Sequence, residues 1–267
     1  MQIIFFAILF GFCLNYMGEK GKPVYHFFDI VGNIMIRMTQ VVMNYAPIGV
    51  FALMAAVVAQ HGLAVLLPLM KLIIASFIAT ALLVIVVYIP LVMFVIRIPV
   101  STYFKGIFEP WLIAFTTCSS AAAMAANLLA SRRLGATNSI ASFAVPLGNT
   151  INMNGTAVYM GVTAVFAAQI YGIDLSIGDQ VIVVLTGVLA AVGTAGVPGA
   201  GLIMSTLVFT QIGLPLEVIA LIAGVDRILD MIRTSINVVG DSTTALIVSR
   251  MEGELGSEPF EEEAPKA

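Results

Sequence analysis

Between residues 216 and 249, an otherwise apolar stretch carries Asp226, Asp230, Arg233, Asn237 and Asp241. At about 100° per helical residue these five positions fall within roughly 80° of one another, so they form one polar face. Inside a membrane each such charge costs at least ~2.5 kcal/mol on insertion scales, and a cluster of them marks a substrate or ion path. A structural network of internally paired Asp and Arg is the alternative reading. Three acids on one face also raise the idea of an intramembrane aspartyl protease. Such enzymes use a G-x-G-D motif, and Val238-Val239-Gly240-Asp241 lacks its first Gly. A cation among the acids also ill suits a pair of carboxyls that share a proton. Arg227 points off the polar face and reads as a structural or interfacial charge.

Three other stretches interrupt apolar segments with small or polar residues: TTCSSAAA at 116–123, NTINMNGT at 149–156 and GTAGVPGAG at 193–201. Four Gly and one Pro in the nine residues 193–201 will not hold a helix. The flanking pieces, 180–192 and 202–213, are each roughly 20 Å long as helices, too short to cross about 30 Å of hydrocarbon. Two half-helices meeting at an irregular tip describe a re-entrant hairpin, whose tip is tolerated only where it lines a cavity or is buried in protein. One kinked helix is the alternative. INMNGT (151–156) and INVVGD (236–241) share I-N-x-x-G, a faint internal repeat that fits the inverted-repeat plan of secondary transporters.

The elements that must position these groups belong to a membrane. Of 267 residues, 60% are hydrophobic and 10% charged, against roughly 25% charged in soluble domains, and the mean hydropathy is +1.04. The apolar segments are 2–17, 27–60, 63–98, 106–131, 139–170, 180–213 and 216–249. They predict an all-α integral membrane protein of transmembrane helices plus two re-entrant helical hairpins, 106–131 and 180–213. With both hairpins re-entrant, all seven loop cations (Lys20, Lys22, Arg97, Lys105, Arg132, Arg133 and Arg250) lie on one side. By the positive-inside rule that side, and the C-terminus, is cytoplasmic in a multi-pass cell-membrane protein. Six of the 15 acidic residues lie in 252–263, so 251–267 is expected to be a disordered acidic tail. The charge balance excludes a basic nucleic-acid binder, and two Cys with two His argue against a disulfide framework or a Cys/His metal site.

Five stretches together resemble the sodium-coupled glutamate/aspartate transporter family, which includes excitatory amino acid transporters and archaeal and bacterial homologues. They are YAPIGVFAL (45–53), TTCSSAAA, PLGNTINMNGT (146–156), GTAGVPGAG and DRILDMIRTSINVVGD (226–241). Their order fits along essentially the whole chain. The resemblance implies a homotrimeric elevator transporter in contact with membrane lipids. Residues 1–60 would belong to the scaffold and 63–250 to the moving transport domain. It also implies three further helices and most of a fourth ahead of the point where this chain starts, and hence a truncated product or fragment.

Carried over by resemblance, Asp230 binds the substrate ammonium and Arg233 its side-chain carboxylate. Thr234 and Asn237 contact the backbone groups of the amino acid, and Thr156 lies near the side-chain carboxylate. Ser119 and Ser120 on the first tip offer donors to the α-carboxylate, and Val197 and Gly201 lie on the second tip, which resembles a gate. The implied coupling ion is sodium, and no other cofactor is expected. One sodium site would use carbonyls of Gly148, Asn152 and Asn237 plus the Asp241 carboxylate. A second would use carbonyls of Thr150, Ala191, Val192 and Thr194, with Met153 nearby. The chain departs from the family at Asn154, where the usual motif N-M-D-G-T has an acid belonging to a third sodium site. It departs again at Cys118 and Met231, positions where relatives carry an Arg. The expected function is sodium-coupled symport of aspartate or glutamate. Alternatives are a proton-coupled or weakly coupled carrier of dicarboxylates or neutral amino acids in the same family, or an inactive fragment.

Overall fold

The structure is a computed structural model that describes residues 2–257, apart from some side chains of the first three helices. The described residues form helices and turns and contain no strand. By its internal contacts the chain divides between Ala52 and Leu53, whereas the sequence places the division between 60 and 63.

The first unit holds α1 (Gln2–Tyr16), a tight 3-10 turn at Gly18–Gly21, α2 (Lys22–Met43) and the start of α3 (Ala46–His61). The apolar stretch 27–60 is thus broken at Asn44 and Tyr45, one turn ahead of Pro47. A proline fits the first turn of a helix, where no backbone donor is required, but disfavours helical geometry just before it. Within this unit Phe10 of α1 meets Phe28 of α2 edge-on, with ring centroids 5.5 Å apart.

In the second unit, one continuous helix runs from Leu63 to Ile96. Among the described residues it is the helix long and apolar enough to cross a membrane by itself. It includes α4 (Leu66–Leu83) and two π-helical stretches, Val84–Tyr88 and Leu91–Ile96, on either side of Pro90. Pro90 removes a donor from the ladder, and wider turns accommodate that loss. After α5 (Val100–Gly106) come α6 (Phe108–Thr117) and α7 (Ser120–Arg133), joined through Cys118 and Ser119. Then follow α8 (Asn138–Ile151) and α9 (Asn154–Ile170), parted at Asn152 and Met153. A second helix pair, α10 (Ile177–Val192) and α11 (Ala200–Gln211), flanks the Gly-rich stretch 193–199. The chain closes with α12 (Val218–Ala223) and α13 (Asp226–Met251).

The last helix is the axis of this unit. It packs against α6, α7, α8 and α9, and every residue from Ile232 to Thr243 is buried. A helix that polar can be buried only if its groups find partners. At 16 and 12 residues, α10 and α11 measure about 24 Å and about 18 Å, so neither crosses the hydrocarbon alone. The outer face of α10 leaves Ile177, Val181, Val184, Leu185 and Val188 exposed.

Three features differ from the sequence reading. The stretch 216–249 is two helices, because the chain turns at Gly224 and Val225. INMNGT lies at a helix break, whereas INVVGD lies inside the unbroken α13. Residues 252–257, assigned to the tail from their charge, turn back onto the α7–α8 connection. There Gly256 N donates to Gly135 O at 2.8 Å and Thr137 Oγ1 donates to Glu254 Oε2 at 3.1 Å. The rest of the expected tail, 258–267, lies outside the described residues.

Candidate binding site

The two helix pairs bring their tips together. At the first tip, Cys118 ends α6 in the left-handed region, with φ 55°. Its N–H donates to Ala114 O at 2.9 Å. Ser119 then caps α7, its Oγ accepting from Ala122 N at 3.2 Å, which satisfies one of the first-turn donors. At the second tip, Thr194 Oγ1 donates to Ala190 O at 2.8 Å, and Gly199 turns the chain into α11 with φ 76°. Gly196 joins the tips. Its carbonyl accepts from Ser119 Oγ at 3.1 Å and from Ala121 N at 3.5 Å. A β-carbon on Gly196 would run into Ser120 Oγ, so glycine lets the tips approach this closely without displacing that hydroxyl.

Beneath the tips lies the polar face of α13. Arg233 Nη2 is 2.7 Å from Asp230 Oδ1, and Nη1 is 4.0 Å from Asp226 Oδ1. The guanidinium stands 4.6 Å from the ring centroid of Tyr159, whose hydroxyl donates to Asp226 Oδ1 at 2.9 Å. Asp230 also accepts from Thr234 Oγ1 at 2.7 Å and, at Oδ2, from Gly199 N at 2.8 Å. The second tip is thereby tied to the acid. A β-carbon on Gly201 would collide with the Arg233 guanidinium. Arg233 Nη1 is buried and has no hydrogen-bond partner. It is a donor that a ligand carboxylate could satisfy.

A cavity of about 10 Å³ lies at this junction, room for about one water. Its lining includes Ser120, Thr156, Val197, Asp230, Arg233, Thr234 and Asn237. Those are seven of the nine residues assigned by resemblance to the substrate. The other two, Ser119 and Gly201, touch the lining from behind, through Gly196 and Arg233. Met153, Thr194, Ala195 and Gly196 complete the wall.

Next to it is an oxygen-rich group. Asn237 Oδ1 accepts from Gly155 N at 2.7 Å, and its Nδ2 donates to Thr156 Oγ1 at 3.1 Å and lies 3.2 Å from Met153 Sδ. Asn152 Nδ2 donates to Asp241 Oδ1 at 2.9 Å and lies 3.4 Å from Asn237 O. Gly148 faces the Asp241 carboxylate. Gly148, Asn152, Asn237 and Asp241 therefore converge. Such oxygens suit a hard cation. No group of three or more His, Cys, Asp or Glu that could hold a metal occurs among the described residues. Thr150 sits on α8, with its hydroxyl donating to Pro146 O at 3.3 Å. Ala191 and Val192 end α10, a helix in contact with α8, and Thr194 lies just beyond it at the second tip.

Some participants carry no sequence signal. Asn154 Nδ2 donates to Tyr88 Oη at 2.8 Å, an alliance between residues far apart in the chain. Tyr159 lies one helical turn beyond Thr156, on the same face of α9. A buried Tyr needs a hydroxyl partner, which could have suggested its link to an acid of α13.

Residues 1–251 match the Sodium:dicarboxylate symporter family. A proton/sodium-glutamate symport protein of Bacillus caldotenax is 37% identical over 258 residues, covering 97% of this chain and 61% of that protein. A proton/glutamate-aspartate symporter of Bacillus subtilis is 38% identical over 252 residues, covering 94% and 61%. A C4-dicarboxylate transport protein of the same species is 36% identical over 257 residues, covering 96% and 61%. The chain thus spans about three fifths of the length of these relatives. On this match, the chain belongs to the sodium:dicarboxylate symporter family, whose members are multi-pass membrane transporters.

Proposed function

We propose that the protein containing this chain is a symporter that carries an acidic amino acid, aspartate or glutamate, across the cell membrane with sodium. The observation that carries this reading is the Asp230–Arg233 pair at 2.7 Å beneath two meeting tips. An acidic amino acid brings both complements: an ammonium for Asp230 and a side-chain carboxylate for Arg233. A bidentate Arg–carboxylate contact is strong and directional. Thr234, Asn237 and Thr156 complete the polar wall, and Ser119 and Ser120 face the α-carboxylate. Val197 and Gly201, on the second tip, belong to the gate. A C4-dicarboxylate has no ammonium and would leave the buried Asp230 against a second anion, a costly arrangement. The amino acid is favoured for that reason.

Sodium is assigned to the Gly148, Asn152, Asn237 and Asp241 oxygens, and a second ion to carbonyls of Thr150, Ala191, Val192 and Thr194, with Met153 alongside. Asn154 offers a neutral amide where relatives place an acid, so the coupling uses fewer ions than in those relatives. The two helix pairs act as re-entrant hairpins in a homotrimeric elevator, with the loop cations and the C-terminus on the cytoplasmic side. Transport is tested in liposomes holding the full-length gene product, with labelled aspartate outside. Uptake driven by an inward sodium gradient, and absent with a proton gradient alone, is expected. Uptake driven equally by protons without sodium would overturn the sodium assignment.

A further inference from the structure

The first tip is held at its α6 end by a residue outside the candidate binding set. Arg227 Nη2 donates to Thr116 O at 3.1 Å. Thr116 lies in the last turn of α6, where carbonyls lack helical partners. A cation at that end also offsets the negative pole of the helix. The contact runs both ways, since the Cys118 thiol lies 3.9 Å from the Arg227 carbonyl and Cys118 is only 1% exposed. Arg227 Nη1 is buried without a hydrogen-bond partner, while the residue as a whole is half-buried and Thr116 is exposed, so the guanidinium lies at the edge of the junction with one nitrogen turned into it. Neither contact uses Asp230, Arg233 or the cation-binding oxygens.

We propose that Arg227 is a positioning residue that fixes the first tip to α13. It holds the α6 end of the turn, and through Cys118 it keeps Ser119 and Ser120 in place. The backbone of the first tip then keeps its place whether the Ser119 hydroxyl donates to Gly196 O, as it does here, or to a ligand. The link to transport rests on the proposed function. The clamp itself does not, and it has its own readout in Cys118.

The full-length gene product in a Cys13→Ser background leaves Cys118 as the thiol of this chain. Maleimide labelling of Cys118 is timed without substrate, and the KM and maximal rate of aspartate uptake are measured in liposomes. Arg227→Met keeps most of the side-chain length and loses the donors. It is expected to speed labelling and raise KM by roughly 10-fold each, the lower end for a lost hydrogen bond to a charged group. The maximal rate should move far less, whereas a general loss of folded protein would lower that rate at constant KM. Arg227→Lys keeps the charge and should restore both readouts most of the way. Arg227→Gln, too short to reach Thr116, should behave like the Met variant and serves in its place if that variant does not fold. Parental labelling in the Met or Gln variant overturns the clamp. Faster labelling with an unchanged KM overturns the positioning role. If the parent carries no aspartate, the proposed function fails, while labelling still decides the clamp.

Discussion

The first tip is two residues long and the second is seven, and they are held by different kinds of partner. Both arms of the first pair, α6 and α7, pack along α13, and Arg227 ties the turn to it. The second tip is held by Gly199 N on Asp230 and by Gly196 O on Ser119. Both partners are groups that a substrate would claim. One arm of the second pair, α10, also leaves a broad apolar face exposed. A tip whose contacts compete with ligand is suited to move, while a tip fixed by independent contacts is suited to stay. On the proposed function the chemistry of the site would be partitioned: the first tip and α13 would supply direction, and the second tip closure.

Removing the group beneath the moving tip should have the largest effect. Arg233→Thr leaves a ligand carboxylate without its partner, and a broken buried pair costs roughly 3–5 kcal/mol, or about 10²–10⁴ in affinity. Calorimetry with aspartate reads this loss, and unchanged affinity would refute the role of Arg233. Next comes Gly201→Ala, which places a methyl against the guanidinium. Overpacking of about 1–3 kcal/mol predicts roughly 5- to 150-fold weaker aspartate binding, with little change in Cys118 labelling, because the first tip is not touched. Equal disturbance of both tips would erase the distinction between them.

A smaller effect is expected at Asp241→Asn. Cation affinity falls and, through linkage, aspartate affinity at fixed sodium falls by roughly 5- to 100-fold. Raising sodium should recover part of that loss, and an unaltered sodium dependence would remove Asp241 from the site. The smallest change is Asn154→Asp. It restores a charge beside Tyr88 and should steepen the slope of log affinity against log sodium by up to one ion, without changing which tip moves. Equal slopes would show that Asn154 serves as well as the acid.

Much of this was legible in the residues. The stripe at 226, 230, 233, 237 and 241 follows from helical spacing, and α13 presents Asp230, Arg233 and Asn237 of it to the cavity, while Asp226 meets Tyr159 and Asp241 meets Asn152 beside it. The Gly/Pro content of 193–201 gave the break between α10 and α11, because those residues cannot sustain a helix. The first tip was legible only as a polar stretch: of 116–123, just Cys118 and Ser119 leave the helices. Neither is Gly or Pro, so no breaker marks the place. The turn at Gly224 and Val225 was masked by continuous hydrophobicity. Arg227 shows why angular position alone misleads. It lies off the polar face, and its partner, Thr116 O, is a carbonyl from a distant helix that no sequence pattern displays. The Tyr88–Asn154 contact was hidden for the same reason, with Tyr88 set in a π-helical turn.

On the proposed function, Asp230 and Arg233 together select an acidic amino acid in a cation-dependent site. The most direct test is calorimetry of the full-length protein with aspartate and with succinate, each in matched sodium and choline buffers. Succinate has the two carboxylates of aspartate and lacks its ammonium. Aspartate binding should tighten with sodium, and succinate should bind at least roughly 100-fold more weakly, because Asp230 would face an anion without compensation. Succinate binding as tight as aspartate, or aspartate binding equal in sodium and choline, would contradict the proposed function.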